Sequence, residues 1–588
     1  MKDTWNLSIL YNGFDDEKFT SDTKLLDTHI ERLASLSERA SEMDSLALIR
    51  EFLSLQNDIS LVTSKLFIYS NLRYSANTAD SEAASTMGVL MGKLSATAAP
   101  SAALNKMIAG IENLEELIRE NDDLREYEFY LTSIKEESKH LLTDAEESLF
   151  AEMNISGASA WSDLQSSLTS TLKVDYNGEK ITLPAVRNLA YEADAEVRKN
   201  AYYAELASYD QIKNATAFAL NSIKQQVISE SRRRGYASPL DKALANSRMT
   251  RETLDALISA MEDYLPVFRK YLKAKAKYLG HEGGLPWYDL FAPIGSSDKK
   301  YTIEESRDYL LGIFGKFDTE LHDMVKTAFD EEWIDFYPRE GKVGGAFDCG
   351  VPSAKQSRVL TNFGGAFGDI VTLAHELGHS FHDRQVFNNA LLNQEYSMPV
   401  AETASTFNEV LVVSTAIAES TDREEKLALI ESQLQDATQI IVDIYSRYTF
   451  EASVFENRPT EFMSADRFCE LMLAAQEKAY GDGLDKELRH PYMWVCKGHY
   501  YSGGLSFYNF PYAFGGLFAR GLYAKYIAEG KPFVDTYKAL LRATSTSTVE
   551  NAAKIAGVDL TQKSFWEAGL KSLADQIDEF CTLVDYKE

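Results

Sequence analysis

The sequence predicts a mainly α-helical protein with a small β-sheet, and three observations predict it. Apolar residues recur at helical spacing along most of the chain. Only 13 prolines interrupt 588 residues, which suits long helices because proline removes a backbone donor and clashes with the preceding turn. Strand-like stretches are few, and they are bounded by turn residues.

The elements follow in order. From Asp27 to Leu53, the residues Ile30, Leu33, Leu36, Met43, Leu46, Ile49 and Leu53 fall at helical spacing. Similar patterns fill 56–75, 81–120 and 122–154. The first strand signal spans 170–183, where Asn177-Gly178 separates two β-prone arms. Asn-Gly suits a two-residue hairpin turn because both of its positions want positive φ. Helical patterns resume over 191–233, 250–279 and 303–329. A second, glycine-rich β-flavoured stretch runs through Gly341, Gly344, Gly345 and Phe347 to Asn362 and Phe363. It predicts a small sheet just before the helix that carries the chemistry. No repeat of fixed period occurs. A boundary near 190 divides an N-terminal helical region with its hairpin, 1–190, from a catalytic region, 191–588, with no flexible linker between them.

Composition narrows the class. The chain is 45% hydrophobic and 25% charged, as expected of a globular protein. There are 60 Lys and Arg against 89 Asp and Glu, a formal net charge of −29. Nucleic acids and anionic membranes both need clustered positive charge, so neither is an expected partner. The balance favours solubility and is compatible with cationic substrates. Cys349, Cys469, Cys496 and Cys581 form no CxxC pair. They read as free thiols in a reducing compartment. The first residues lack a signal-peptide apolar region, and no run of about 18 apolar residues occurs. A cytoplasmic protein is expected. No motif encodes an oligomeric state.

The decisive segment is Asp369-Ile-Val-Thr-Leu-Ala-His375-Glu376-Leu-Gly378-His379-Ser-Phe-His382. Helical residues four apart share a face, so His375 and His379 can offer imidazole nitrogens to one metal about 2 Å away. Glu376 stands beside them as a general base for water activated by the metal. The chain has only nine histidines, which makes a chance HExxH on a helix improbable. His382 lies three residues beyond His379. It is a possible third ligand, but the longer-spaced Gly and His of the metzincin pattern are absent. A packing or substrate-side role is the favoured expectation. Downstream, Glu402 and Glu409 are seven apart and share a helical face. A helix packed on the first can present Glu402 to the metal and Glu409 to a histidine's second ring nitrogen. Taken singly, each glutamate reads better as part of a solvated face; the place just after HExxH and the apolar run Val410, Leu411, Val412 and Val413 shift the reading toward the metal.

A second unusual segment gathers His499, Tyr500, Tyr501, Tyr508 and Tyr512 among glycines. Imidazole and phenol donors suit a tetrahedral oxyanion. Aromatic core packing is the plain alternative.

These residues resemble oligoendopeptidase F, of the thimet oligopeptidase-like zinc metallopeptidases. The resemblance rests on Trp5-Asn-Leu7 with Leu10-Tyr11, on Trp287-Tyr-Asp289-Leu before Pro293, and on Gly341 to Phe347 with Asn362. It continues through the HELGHSFH helix, the Glu402–Glu409 step and the segment with His499, Phe507-Tyr508 and Tyr512. It runs nearly end to end and is densest from 340 to 520. It implies a two-lobed helical shell around a deep channel, with a small sheet near the active site. It implies one Zn2+ per chain, held by His375, His379 and Glu402, and short oligopeptide substrates cut at internal bonds. It also implies substrate and transition-state contacts from His499, Tyr508 and Tyr512, and peptide-backbone pairing along Gly344-Gly345. Spacing between the histidine and the tyrosines departs from that of thimet oligopeptidase, so Tyr500 or Tyr501 is an alternative oxyanion donor. Tyr501 and His382 complete the expected substrate contacts. An exopeptidase with the same metal chemistry and a silent peptide binder are the rival classes. Glu376 argues against the second, because a structural site has no use for a base.

Overall fold

Helix starts in this chain are written in short polar side chains. Asp16 accepts from the Lys18 N–H and opens helix Glu17–Arg39, and Asp44 accepts from Leu46 and Ala47 and opens helix Ser45–Ala76. Such caps satisfy backbone donors that a helix leaves unpaired. The single helical pattern read over 27–53 is therefore two helices. A short 3-10 turn, Ala40–Glu42, separates them, because the Asp44 cap restarts the backbone. The computed structural model describes residues 2–295 and 299–586.

Helices dominate, and the strands form two small sheets. Strands β1 (Lys173–Tyr176) and β2 (Glu179–Thr182) pair antiparallel, with Tyr176 opposite Glu179. Their turn residues Asn177 and Gly178 have φ of 52° and 82°, the conformation expected for this dipeptide. The second sheet has the order β3-β5-β4. β3 (Ile334–Asp335) runs parallel to β5 (Gln356–Leu360), and β4 (Phe347–Val351) runs antiparallel to it. The strand anticipated from Gly341 begins only at Phe347. Gly341 and Gly345 adopt φ of 80° and 79°, which breaks the extended run and leaves 341–346 as a loop. The Asn362 amide donates to the Val343 and Gly345 carbonyls and fixes that loop beside the sheet.

Buried apolar side chains form two clusters. One collects Leu10 through Ile134 and takes in Val351 of β4. The other runs from Ala158 to Cys581. The two clusters part between Ile134 and Ala158. The hairpin and the helix before it pack with the catalytic part, since Val174 and Leu183 lie in its core. Periodicity shows that a segment is helical, but not which core it serves. Among the described residues no helix is long and apolar enough to cross a membrane.

Three helices position the chemistry. The metal helix is Phe367–Val386. The carboxylate helix is Thr403–Glu419, with Glu402 at its N-cap position. The tyrosine helix is Phe510–Glu529.

Candidate metal centre

The metal helix begins where the Asp369 carboxylate accepts from the Gly364 and Ala366 amides. Two turns later it presents His375 and His379 on one face. The carboxylate helix crosses it closely at Gly378. A methyl group built there would stand 2.5 Å from Ser405 Cα and 2.6 Å from the Ala404 carbonyl oxygen. Glycine is what lets the backbones approach. The Asn408 amide donates to the Ala374 carbonyl at 3.2 Å and pins the crossing.

Across this contact three donor atoms converge. His375 Nε2 and His379 Nε2 are 3.2 Å apart. Glu402 Oε2 lies 3.3 Å from the first and 3.4 Å from the second. A tetrahedral metal with bonds of about 2.0–2.1 Å needs ligand atoms about 3.3–3.4 Å apart. The triangle therefore fits one small divalent ion. A looser grouping of His375, Glu376 and His379 also falls within 4.8 Å. Glu402 closes the tighter triangle and leaves Glu376 beside it.

Neighbours fix each member. The His375 Nδ1–H donates to Glu409 Oε1 at 2.8 Å, which turns Nε2 inward. Ser405 Oγ donates to Glu402 Oε2 at 2.8 Å. Electrostatics at the site favour a cation. Burial pulls His375 down, but Glu409, Glu376 and Glu402 outweigh it and carry the imidazole up to about 9. Burial raises Glu402, but His379 and His375 outweigh it and hold the carboxyl at about 2. Burial pushes Glu376 above the usual carboxylate range, and Glu402 adds to the rise.

The aromatic segment arrives from the other side. His499 lies on a 3-10 turn, Gly498–Tyr501, and Tyr512 is in the first turn of the tyrosine helix. Ring centroids of His499 and Tyr508 are 5.1 Å apart, those of His499 and Tyr512 6.4 Å, and those of Tyr508 and Tyr512 5.6 Å. The tyrosine helix rests on the Glu402 segment at Gly515, where a built Cβ would be 2.9 Å from Glu402 Cβ. His499 is pulled below its usual range by burial and by the Arg447 and Lys497 charges. It is therefore neutral near pH 7, with one ring N–H to donate. Burial and the bond with Tyr508 push Tyr512 up, keeping its phenol protonated.

Two expected substrate contacts lie elsewhere. Tyr501 is 0% exposed, and Tyr500 beside it is also buried. Both sit in the apolar core, so neither reaches a peptide. His382 is fully buried as well. Its Nε2 meets Thr544 Oγ1 at 2.8 Å, and its ring stacks on Tyr396 with centroids 4.2 Å apart. It packs between Thr544 and Tyr396, which hold its ring in the core although its spacing from His375 puts it on the same side of the helix. Gly344 is open, with nothing within 4 Å of a built Cβ. Glu409 stands where the seven-residue step puts it.

Sequence reasoning missed a buried acid pair behind the metal helix. Asp348 of β4 accepts from Ser380 Oγ at 2.6 Å, and Asp383 accepts from the Tyr396 hydroxyl at 3.0 Å. Burial drives both carboxyls up, Asp383 to about 6, and each acts on the other. Asp383 follows His379 by four residues, so the spacing already placed it on that face. Burial and Asp348 push the thiol of Cys349, beside them, up to about 12, which disfavours its thiolate.

A helical shell with an HExxH helix crossed by a carboxylate helix defines a metallopeptidase. The profile of Peptidase family M3 matches residues 188–572, and that of Oligopeptidase F matches 109–173. The chain belongs to peptidase family M3 and is a metalloendopeptidase of the oligoendopeptidase F type. It is 27% identical to Oligopeptidase PepF of Bacillus subtilis (strain 168) over 600 residues, covering 98% of this chain and 87% of that protein. It is 26% identical to an oligoendopeptidase F homolog of Lactococcus lactis subsp. lactis (strain IL1403), covering 99% and 97%. The crystal structure of oligoendopeptidase-F from Enterococcus faecium superposes with a TM-score of 0.71 at 19% identity, covering 97% of this chain and 99% of that one.

Proposed function

We propose that the protein is a zinc-dependent endopeptidase that cuts internal bonds of short oligopeptides. His375, His379 and Glu402 hold the metal, and Glu376 is the general base. The observation that carries this reading is the donor triangle, with edges of 3.2, 3.3 and 3.4 Å. Two imidazoles and one carboxylate are a zinc-type donor set. When bound, zinc supplies Lewis acidity that makes water nucleophilic near neutral pH and polarises the scissile carbonyl.

The chain's own groups do the rest. Glu376 takes the proton of the attacking water and passes it to the leaving nitrogen. Its raised affinity for a proton suits that shuttle. Glu409 holds His375 in the tautomer whose Nε2 lone pair faces inward. The neutral His499 and the hydroxyls of Tyr508 and Tyr512 donate hydrogen bonds to the oxyanion. Gly344 and Gly345, in the loop just before the outer strand β4, offer backbone groups to an extended peptide. The four free thiols suit a reducing compartment, and we place the protein in the cytoplasm.

The test uses an end-blocked, internally quenched peptide of about ten residues, a length matched to a cleft-sized ligand. Cleavage at an internal bond is expected to stop with a chelator, return with zinc and be absent in Glu376→Gln. A zinc-loaded protein that cleaves no blocked peptide but trims free ends would replace this reading with an exopeptidase.

A further inference from the structure

Lys342 lies in the loop 341–346, yet its side chain is 0% exposed. Its ammonium stands 2.6 Å from the Asp335 carboxylate. It donates to the carbonyls of Asp335, Tyr337 and Thr361 at 3.1, 2.9 and 2.5 Å. Asp335 is 1% exposed and is held in turn by Arg339, which also reaches the Ala76 carbonyl. An ammonium taken out of water is costly unless oxygens replace its hydration, and here four do. They come from the ends of β3 and β5 and from the residues after β3, so the lysine is pinned to the sheet.

The loop is clamped from its other side as well. The Gly341 carbonyl accepts from the Thr78 N–H at 2.7 Å, and the Val343 N–H donates to the Ser75 carbonyl at 3.0 Å. The Asn362 amide takes the Val343 and Gly345 carbonyls. Both backbone groups of Val343 are thus engaged. Those of Gly344 are not: its N–H and C=O have no hydrogen-bond partner among the described residues. Gly344 is exposed, with nothing within 4 Å of a built Cβ. A glycine with a free donor and acceptor, held between clamped neighbours, is a place where another backbone can approach and pair. Without the ammonium the loop keeps only Asn362 and its bonds to residues 75 and 78, and Gly344 is free to turn away.

We propose that Lys342 is a positioning residue for the substrate. It holds the loop so that the Gly344 carbonyl takes the N–H of one peptide residue, which imposes a requirement for an unsubstituted backbone amide there. A proline or an N-methylated residue offers no such N–H. The proposal rests on the peptide-pairing reading above. It adds the side chain that shapes the pairing edge and the substrate feature that the edge selects.

The experiment uses blocked, quenched peptides of about ten residues, each N-methylated at one successive position. KM and kcat are read for the wild type, Lys342→Met and Asn362→Ala, with zinc content and melting curves alongside. Binding of the same peptides to Glu376→Gln, with and without Lys342→Met, is followed by fluorescence. In the wild type, N-methylation at one position besides the scissile amide is expected to raise KM on the order of tenfold while kcat changes little. Lys342→Met is expected to raise KM for the unmethylated peptide by a similar factor and to bring the methylation penalty near one, because coupled partners are not lost twice. A lysine needed for folding alone would lower the melting temperature and leave the penalty in place. A wild type with no such sensitive position, or a penalty that survives in Lys342→Met, would overturn the proposal while leaving the peptidase intact. If no peptide is cleaved, the peptidase reading fails, and the binding series decides the pairing by the same ratio. If Lys342→Met does not fold, Asn362→Ala, which loosens the same loop, carries the test by the same loss of the penalty.

Discussion

Glu376 and Glu402 are the same amino acid set to opposite work by their neighbours. Glu402 faces two imidazole nitrogens, while at Glu376, 6% exposed, burial is the dominant influence. On the proposed reading, Glu376→Gln is expected to bind zinc as the wild type does and to lose turnover on the order of a thousandfold. Glu402→Gln is expected to lose zinc itself, and metal analysis of the two purified variants separates them. His382 gives a different prediction. Burial first, then the charge of His379, holds it down at about 3, against about 6.5 when unfolded. Between those values the unfolded chain binds a proton that the folded chain does not. Stability is thus full above about pH 6.5 and falls as pH drops toward 3, at about 1.4 kcal/mol per unit from this residue. His382→Gln should flatten that slope in urea titrations at pH 5 and 7, and an unchanged slope would contradict the assignment. That His375 and His379 share a face was legible because helical spacing fixes it, and the structure brings Glu402 to within 3.3 and 3.4 Å of their Nε2 atoms. His382 and Tyr501 were not legible, because spacing says nothing of depth, and both proved to be core residues.

At the scale of elements, the site depends on how closely helices pack. Gly378 sits within HELGH, where alanine would ordinarily favour the helix by about 1 kcal/mol. Here its methyl group would meet backbone atoms of the carboxylate helix at 2.5 and 2.6 Å, and backbone cannot swing aside. Overpacking of that kind costs about 1–3 kcal/mol, so the clash outweighs the propensity. Gly378→Ala is expected to lower the melting temperature and weaken zinc binding together, because Glu402 rides on the displaced helix. Gly368→Ala, on the same helix with nothing within 4 Å of a built Cβ, should not destabilise. Equal effects of the two substitutions on the melting temperature would refute the packing argument. Helix existence was legible from periodicity, and the Asn177-Gly178 hairpin from turn chemistry. The start of β4 was not, because positive φ at Gly341 and Gly345 ends the strand and a glycine permits either conformation.

For the whole molecule, the N-terminal core grips the catalytic part through long-range backbone bonds that no local pattern announces. Asn6 N–H donates to the Glu332 carbonyl, Phe336 N–H to Asp3, and Val343 N–H to Ser75. These bonds hold the N-terminal core against the three-stranded sheet and the loop that carries Gly344 and Gly345. The overall charge was legible from the start, and it makes a prediction of its own. A net charge of −29 projects a field that reaches about 30 Å at 10 mM salt and only about 3 Å at 1 M. Association of a cationic peptide should therefore slow as salt rises, that of an anionic peptide should quicken, and a neutral peptide should change little. Measured as kcat/KM on one peptide frame bearing Lys, norleucine or Glu, the three curves converge as salt rises. A lysine preference that persisted undiminished at high salt would not belong to the field of the whole surface. Parallel curves for all three peptides would mean that the field plays no part in capture.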